Sequence, residues 1–379
     1  MFLLGVITSI GLTAIALFPQ IEWLPQTTRF LLLQDRDVYP KWSSAVEFIT
    51  SSISPLLSQN PHYLDTEKWL FLGIVPIILA FIGFVKLKTL YKILVAVSLF
   101  AVVLIALNNV SPLSNLLLSQ DWFVLQRVAT RIWFVPLILT LTLAGFALEK
   151  IRKNKLLFAL AATLALLEST YIFWLVINKP IQKETDRFVT KEVYEYLKKD
   201  KERFRVFCTN RCLSQKDSAI HNLELVEGYN TLQQTNYYKQ AWQLTGAYWN
   251  YYTLSIPPIG TYAFEKPQPD AVSLGEFNTK YVISPYELTD KNLVLKNKFG
   301  DYLVYKNSAV LPRAYFLKDN QKPGNEAPIK KYSPNHIQVD TSKHETQRLV
   351  LAEVWSPGWN AYLNGQTKVR VQEKPDTLR

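Results

Sequence analysis

The sequence predicts a membrane α-helical bundle of about five transmembrane helices, followed by an extracytoplasmic α+β domain that is mainly antiparallel β. Three observations carry that prediction. Two apolar runs near the middle of the 379-residue chain, Ile132 to Leu148 and Leu156 to Val176, hold one charge between them, Glu168. They approach or reach the ~20 residues with which a helix crosses ~30 Å of hydrocarbon. The link between them, EKIRKNK, and a second link holding Lys86, Lys88 and Lys92 are short and basic, as loops kept on the cytoplasmic side are. Beyond Val176 the long apolar runs give way to polar, aromatic sequence with strand-like alternation. The chain therefore divides into a transmembrane region, 1–176, with outer loops 19–68 and 108–131, and an extracytoplasmic domain, 177–379.

Taken in order, Phe2 to Phe18 is apolar, lacks a charged leader and ends in Phe18-Pro19-Gln20 rather than a small-residue cleavage site. It reads as a first span rather than a signal peptide. In the loop that follows, Val46, Ile49 and Ile53 recur at helical spacing, the pattern of a helix lying along a membrane surface. Leu70 to Val85 and Ile93 to Leu107 are the second and third spans. With the N-terminus inside, both basic links fall in the cytoplasm, and Trp23, Trp69, Trp122, Trp133 and Trp174 fall near outer span ends, in the headgroup layer that tryptophan favours. Residues 108–131 are too apolar for an ordinary loop and too interrupted to cross, which suggests a re-entrant or interfacial helix.

In the outer domain Thr190 can cap a helix whose Val193, Tyr194 and Leu197 share a face. Strands follow at RFRVFCT, at a hairpin turning near Gly300 and Asp301, at HIQVDTS and RLVLAEVW, and at AYLNGQTKVRV with its Asn364-Gly365 turn. The aromatic tract 237–252 has two readings, core packing or a sugar-stacking surface formed by Tyr248, Trp249 and Tyr251.

The net charge of +11 would suit nucleic acid in a soluble protein. Here part of it is orientation signal, and no nucleic-acid motif, glycine-rich phosphate loop, GxSxG turn or HExxH is present. The two cysteines, Cys208 and Cys212, stand in the outer domain. A disulfide between them is open there, but i,i+4 spacing on a helix would not suit the bond. The four histidines are scattered, and no metal site is indicated.

Four phrases in order, VEGYNTLQQTNYYKQA (226–241), NTKYVISP (278–285), YLVYKNSAVLPRAYFL (302–317) and LVLAEVWSPGWNAYLNGQ (349–366), resemble the bacterial YfhO-type membrane proteins. TTR at 27–29 and RVATR before the fourth span are similar too. The resemblance implies a polytopic glycosyltransferase-like protein that takes sugar from a polyprenyl-phosphate carrier and acts at the outer face on a cell-envelope glycan acceptor. It also implies that this chain is a piece of a longer member, since the family has further spans and a first outer loop bearing carboxylates.

Such chemistry needs a base, cations for the departing phosphate and a groove at the membrane surface. Asp35 and Asp37 form an acid-x-acid pair that could act as the base or hold a divalent cation, or could be a solvated loop. Arg29, Arg127 and Arg131 at outer span ends could fork onto lipid phosphate or anchor in headgroups. The rival readings are a non-catalytic, membrane-anchored glycan-binding module and a transporter component, for which Glu168 is the residue to watch.

Overall fold

The computed structural model describes residues 2–53, 66–177, 188–229, 233–246, 255–256, 266–318, 322–342, 348–356 and 358–372. The chain divides into two compact units, Phe30–Lys183 and a second unit that joins Met1–Arg29 to Glu184–Arg379. This differs from a boundary at 176 alone. The opening helix α1 (Phe2–Trp23) runs on past Phe18, with Pro19 inside it. The turn after it is held by the second unit, where the Thr28 N–H donates to the Gln233 carbonyl at 2.7 Å.

The described α-helices of the first unit are α2 (Leu32–Asp35), α3 (Ala45–Ile53), α4 (Ile74–Val85), α5 (Thr89–Ala106), α6 (Ser114–Leu118), α7 (Asp121–Gln126), α8 (Phe134–Ile151) and α9 (Lys155–Ile177). Among the described residues three helical stretches are long and apolar enough to cross a membrane: Thr89–Ala106, Ala129–Ile151 and Lys155–Leu175. The expected span from Leu70 is shorter. Only the 12 residues of α4 are helical, or ~18 Å at 1.5 Å per residue. The preceding residues instead dock on α3, with Leu72 and Gly73 N–H groups donating to Ser52 and Ile53 carbonyls. Helix α4 packs closely on α8 because Gly83 lacks a Cβ, which would lie 2.0 Å from the Leu143 carbonyl oxygen.

Helix α3 forms where Val46, Ile49 and Ile53 suggested one, but its buried residues are Phe48, Ser51 and Ser52. Phe48 sits edge-on between Trp42 and Trp133, 5.3 Å from each ring. Residues 108–131 form several short helices rather than one; Phe123 and Val124 are fully buried, while Leu113, Leu116 and Trp122 remain exposed.

The second unit holds α10 (Lys191–Lys198), β1 (Arg205–Cys208), α11 (Gln215–Ile220), β2 (Glu224–Leu225), β3 (Gly228–Tyr229), α12 (Thr235–Thr245), β4 (Ser255–Ile256), α13 (Ala271–Glu276) and β5 (Thr279–Ser284). After these come β6 (Leu293–Phe299), β7 (Tyr302–Asn307), β8 (Ala314–Leu317), β9 (Pro323–Glu326), β10 (Ile329–Ser333), β11 (His336–Val339), β12 (Leu349–Leu351), β13 (Ala361–Leu363) and β14 (Thr367–Val369). Its main sheet has the order β2-β1-β5-β7-β6. Most pairings in the unit are antiparallel, but β2, β1 and β5 run parallel, which the alternation of RFRVFCT did not indicate.

Sequence period two explains the layers. Val206, Cys208, Tyr281 and Ile283 face α10, whose Val193, Tyr194 and Leu197 are buried against them. Phe207 and Val282 point the other way, toward Leu244 of α12 and Leu274 of α13. Every residue of β5 is buried, as suits a central strand covered on both faces. The hairpins predicted around Gly300 and at Asn364-Gly365 are present as β6–β7 and β13–β14, with Gly300, Asn364 and Gly365 at positive φ.

Candidate functional site

At one end of the first unit the loops build a polar layer over the helix ends. It forms because aromatic and amide side chains satisfy the backbone groups that those ends leave open. Trp42 Nε1 donates to the Ala106 carbonyl at the end of α5, and Trp133 Nε1 to the Leu70 carbonyl before α4. Asn108, itself at φ 46°, donates from Nδ2 to the Val38 and Pro40 carbonyls. Arg36 and Arg127 also have positive φ, 47° and 66°. Three non-glycine residues in that region within one layer is uncommon, and such conformations gather at functional sites.

The charges of this layer come in matched sets. Arg36 meets Asp121 at 2.7 Å and donates to the Leu118 and Ser119 carbonyls. Arg131 meets Glu67 at 2.8 Å, and the neighbouring Thr130 hydroxyl donates to the Glu67 carbonyl. Lys68 reaches Glu47 at 3.0 Å and lies 5.2 Å from the centre of the Trp42 ring. Arg127 is tied by its backbone, its carbonyl accepting from the Tyr39 N–H at 2.7 Å. Arg127 and Arg131 are thus brought to one layer with Asp35 and Asp37, while Arg29 belongs to the other unit, in the turn Thr28–Leu31.

The acid pair itself is divided. Asp35 is exposed at the end of α2, whereas Asp37 pairs with Lys41 at 3.0 Å. Among the described residues no group of three His, Cys, Asp or Glu could hold a metal ion, and Lys41 competes for the Asp37 carboxylate. Tyr248, Trp249 and Tyr251 lie outside the described residues.

Glu168 is answered directly. Its carboxylate accepts from the Ile74 N–H at 2.6 Å and the Val75 N–H at 3.0 Å. It therefore caps α4 from the neighbouring helix, where the open amides and the helix dipole favour an anion. Gly73 precedes this cap at φ +90°, and a Cβ there would stand 3.1 Å from the Glu168 Oε2.

In the second unit a different cluster sits past the C-terminal ends of the parallel strands. Cys208 ends β1 and is bonded to Cys212, which is brought back by a turn with Arg211 at φ 55°. The bond is possible because the pair spans a turn, not a helix. Glu227, just after β2, accepts from the Cys208 N–H through Oε1 at 3.1 Å. Its Oε2 is buried with no hydrogen-bond partner among the described residues. Burial pushes the Glu227 carboxyl up to about 8, against the opposing pull of its own and the Cys208 amides and of Arg211. The Thr209 hydroxyl donates to the Ser284 hydroxyl at 3.3 Å, at the ends of β1 and β5.

A second charged group joins the main sheet to the β12-β8-β9 sheet. Buried Arg313 contacts Glu224 and Glu353. Arg205 reaches Glu353 at 2.9 Å and the Ala352 carbonyl at 2.8 Å, and the Tyr332 hydroxyl donates to Glu353 at 2.6 Å. Burial, reinforced by that carboxylate, pushes the Tyr332 hydroxyl up to about 12. This group ties the two sheets together through paired charges.

Sequence reading missed Glu227 because a lone acid in VEGYN carries no spacing signal. Its position after a two-residue parallel strand is what makes it notable. No protein-family model matches the chain, and neither a curated protein nor a solved structure matches it.

Proposed function

We propose that the chain is an integral membrane, glycosyltransferase-like protein of the YfhO type, acting at the outer face on a polyprenyl-phosphate-linked sugar or an envelope glycan acceptor. In this reading α1 and the α4 region complete five spans, and the sheet unit lies outside. The observation that carries it is the polar layer of the helical unit. Arg36, Lys68, Arg127 and Arg131 stand there with carboxylates over the ends of apolar helices. Guanidinium groups so placed suit a lipid phosphate. The Cys208–Cys212 bond supports an oxidising compartment for the sheet unit.

The chemistry assigned to the layer is phosphate binding. No base is assigned, since Asp37 is engaged by Lys41. In this reading Glu168 serves as a helix cap rather than as part of a transport path.

The test is binding of a short polyprenyl phosphate to the chain in nanodiscs, followed by native mass spectrometry, with the parent polyprenol as control. Preference for the phosphate, reduced about tenfold by Arg131→Gln, agrees with the reading. Equal binding of phosphate and alcohol contradicts it.

A further inference from the structure

The short helices α6 and α7 carry a combination of features that a solvated loop does not need. Leu113, Leu116 and Trp122 are 40%, 59% and 57% exposed, although Phe123 and Val124 beside them are fully buried. The segment has an interior of its own and still turns other large apolar side chains outward. It follows α5 directly and precedes Ala129–Ile151, two of the stretches long and apolar enough to cross a membrane.

The backbone of this segment asks little of water. A helix end leaves its last carbonyls without partners, yet every carbonyl from Asn115 to Gln120 accepts a hydrogen bond within the protein. The Ser119 N–H donates to Asn115 at 3.1 Å, and the Ser119 hydroxyl to Leu116 at 2.7 Å. The Gln120 N–H donates to Leu117, and the Phe123 and Val124 N–H groups donate to Gln120. Arg36 answers the remaining two. One of its guanidinium nitrogens donates to the Leu118 and Ser119 carbonyls at 3.0 and 3.1 Å, while another meets Asp121 at 2.7 Å.

Water would answer such carbonyls unaided. Next to hydrocarbon it is scarce, and backbone groups there must be answered by the protein. Tryptophan is favoured at the boundary between headgroups and acyl chains, and leucine accompanies it on surfaces that lie in that boundary. The exposed Asn115, Ser119, Gln120 and Asp121 exclude the hydrocarbon core itself, where uncompensated polar groups are costly, and match the headgroup layer.

We infer that the α6–α7 segment is an interfacial wedge, with Leu113, Leu116 and Trp122 inserted into the headgroup boundary of the bilayer and Arg36 as the clamp that keeps them presented. The partner is the lipid surface, held by apolar insertion, because the guanidinium of Arg36 and the carboxylate of Asp121 are spent on each other. The inference rests on the membrane placement of the helices in the proposed function. It deepens that reading by setting the polar layer at the depth of lipid phosphates.

The test uses the full chain in phosphatidylcholine nanodiscs, with a fluorophore on single introduced cysteines at exposed positions. Leu116→Cys and Trp122→Cys report the wedge, Val97→Cys reports α5, and Asn364→Cys on the β13–β14 hairpin reports water. Lipid bearing a nitroxide near its headgroup should quench the labels at 116 and 122 by about twofold or more. Lipid bearing it near the chain end should quench the label at 97, and aqueous iodide should act mainly at 364. In Arg36→Met, lipid quenching at 116 should fall by about half, as the freed carbonyls draw the segment toward water. Unchanged quenching in Arg36→Met overturns the assignment of the clamp. Iodide quenching at 116 and 122 equal to that at 364, together with lipid quenching at 97, overturns the inference alone. A label at 97 that lipid does not reach overturns the membrane placement and the inference with it.

Discussion

The two units treat a withdrawn carboxylate in opposite ways. In the helical unit Glu168 has both oxygens engaged by the amides that open α4. In the sheet unit Glu227 has one oxygen engaged and one without a partner among the described residues. The first arrangement uses charge to complete a helix that begins beside its neighbour. The second leaves polar capacity unused inside the unit, at a cost to the fold. The difference teaches which acid completes its surroundings and which strains them.

Substitutions should sharpen that contrast in graded steps. The largest effect is expected at Arg313, whose loss strands acids inside the sheet unit. Arg313→Met should destabilise it by about 3–5 kcal/mol, the usual cost of breaking a buried pair on one side, read by thermal unfolding of the full chain. Glu168→Ala should cost the helical unit about 3 kcal/mol, since two hydrogen bonds to a charged group disappear. Wild-type stability in Glu168→Ala would break the comparison.

Glu227→Gln should act in the other direction. A carboxyl held at about 8 in the folded chain, against an ordinary value of 4.5, keeps its proton when folded and loses it when unfolded. Stability from this group is therefore complete below about pH 4.5 and falls as pH rises through about 8. The glutamine variant should match the wild type near pH 4 and exceed it by about 1–3 kcal/mol at pH 8, in parallel melting curves. A gain independent of pH would mean that Glu227 is not the titrating group. The smallest effect is expected for Arg131→Gln. Its ion pair with Glu67 is largely exposed, and stability should change by no more than about 1 kcal/mol, even where phosphate binding falls.

Much of this was legible in the sequence for reasons that can be named. The long runs around Ile132–Leu148 and Leu156–Val176 became α8 and α9 because nothing competes with helix in an uninterrupted apolar stretch. Turn chemistry placed the β6–β7 and β13–β14 hairpins, since Gly300 and the Asn364-Gly365 pair adopt conformations that few other residues accept. The apolar stretch from Leu70 was misleading. Tertiary bonds from Ser52 and Ile53 pull Leu72 and Gly73 out of the helix, and composition cannot register them.

The parallel strands were hidden for a related reason. A two-residue strand such as Glu224–Leu225 has no period, and the pairing of β1 with β5 joins segments some seventy residues apart. The quoted phrases, however, do meet in space. Asn278 Nδ2 donates to the Leu311 carbonyl, linking the second to the third, and Arg313 contacts Glu353, linking the third to the fourth. Asp35 and Asp37 looked like a pair because they are close in sequence, yet Arg36 between them, at φ 47°, turns the chain.

The proposed function requires the sheet unit to face the envelope while the helices hold the membrane. The most direct measurement is therefore the labelling of a cysteine placed at Asn364, the exposed tip of the β13–β14 hairpin, in intact cells with a membrane-impermeant maleimide. The native cysteines are bonded to each other and do not compete. Labelling of Asn364→Cys without permeabilisation is the predicted result. Labelling only after the membrane is opened would put the sheet unit on the cytoplasmic side and contradict the account.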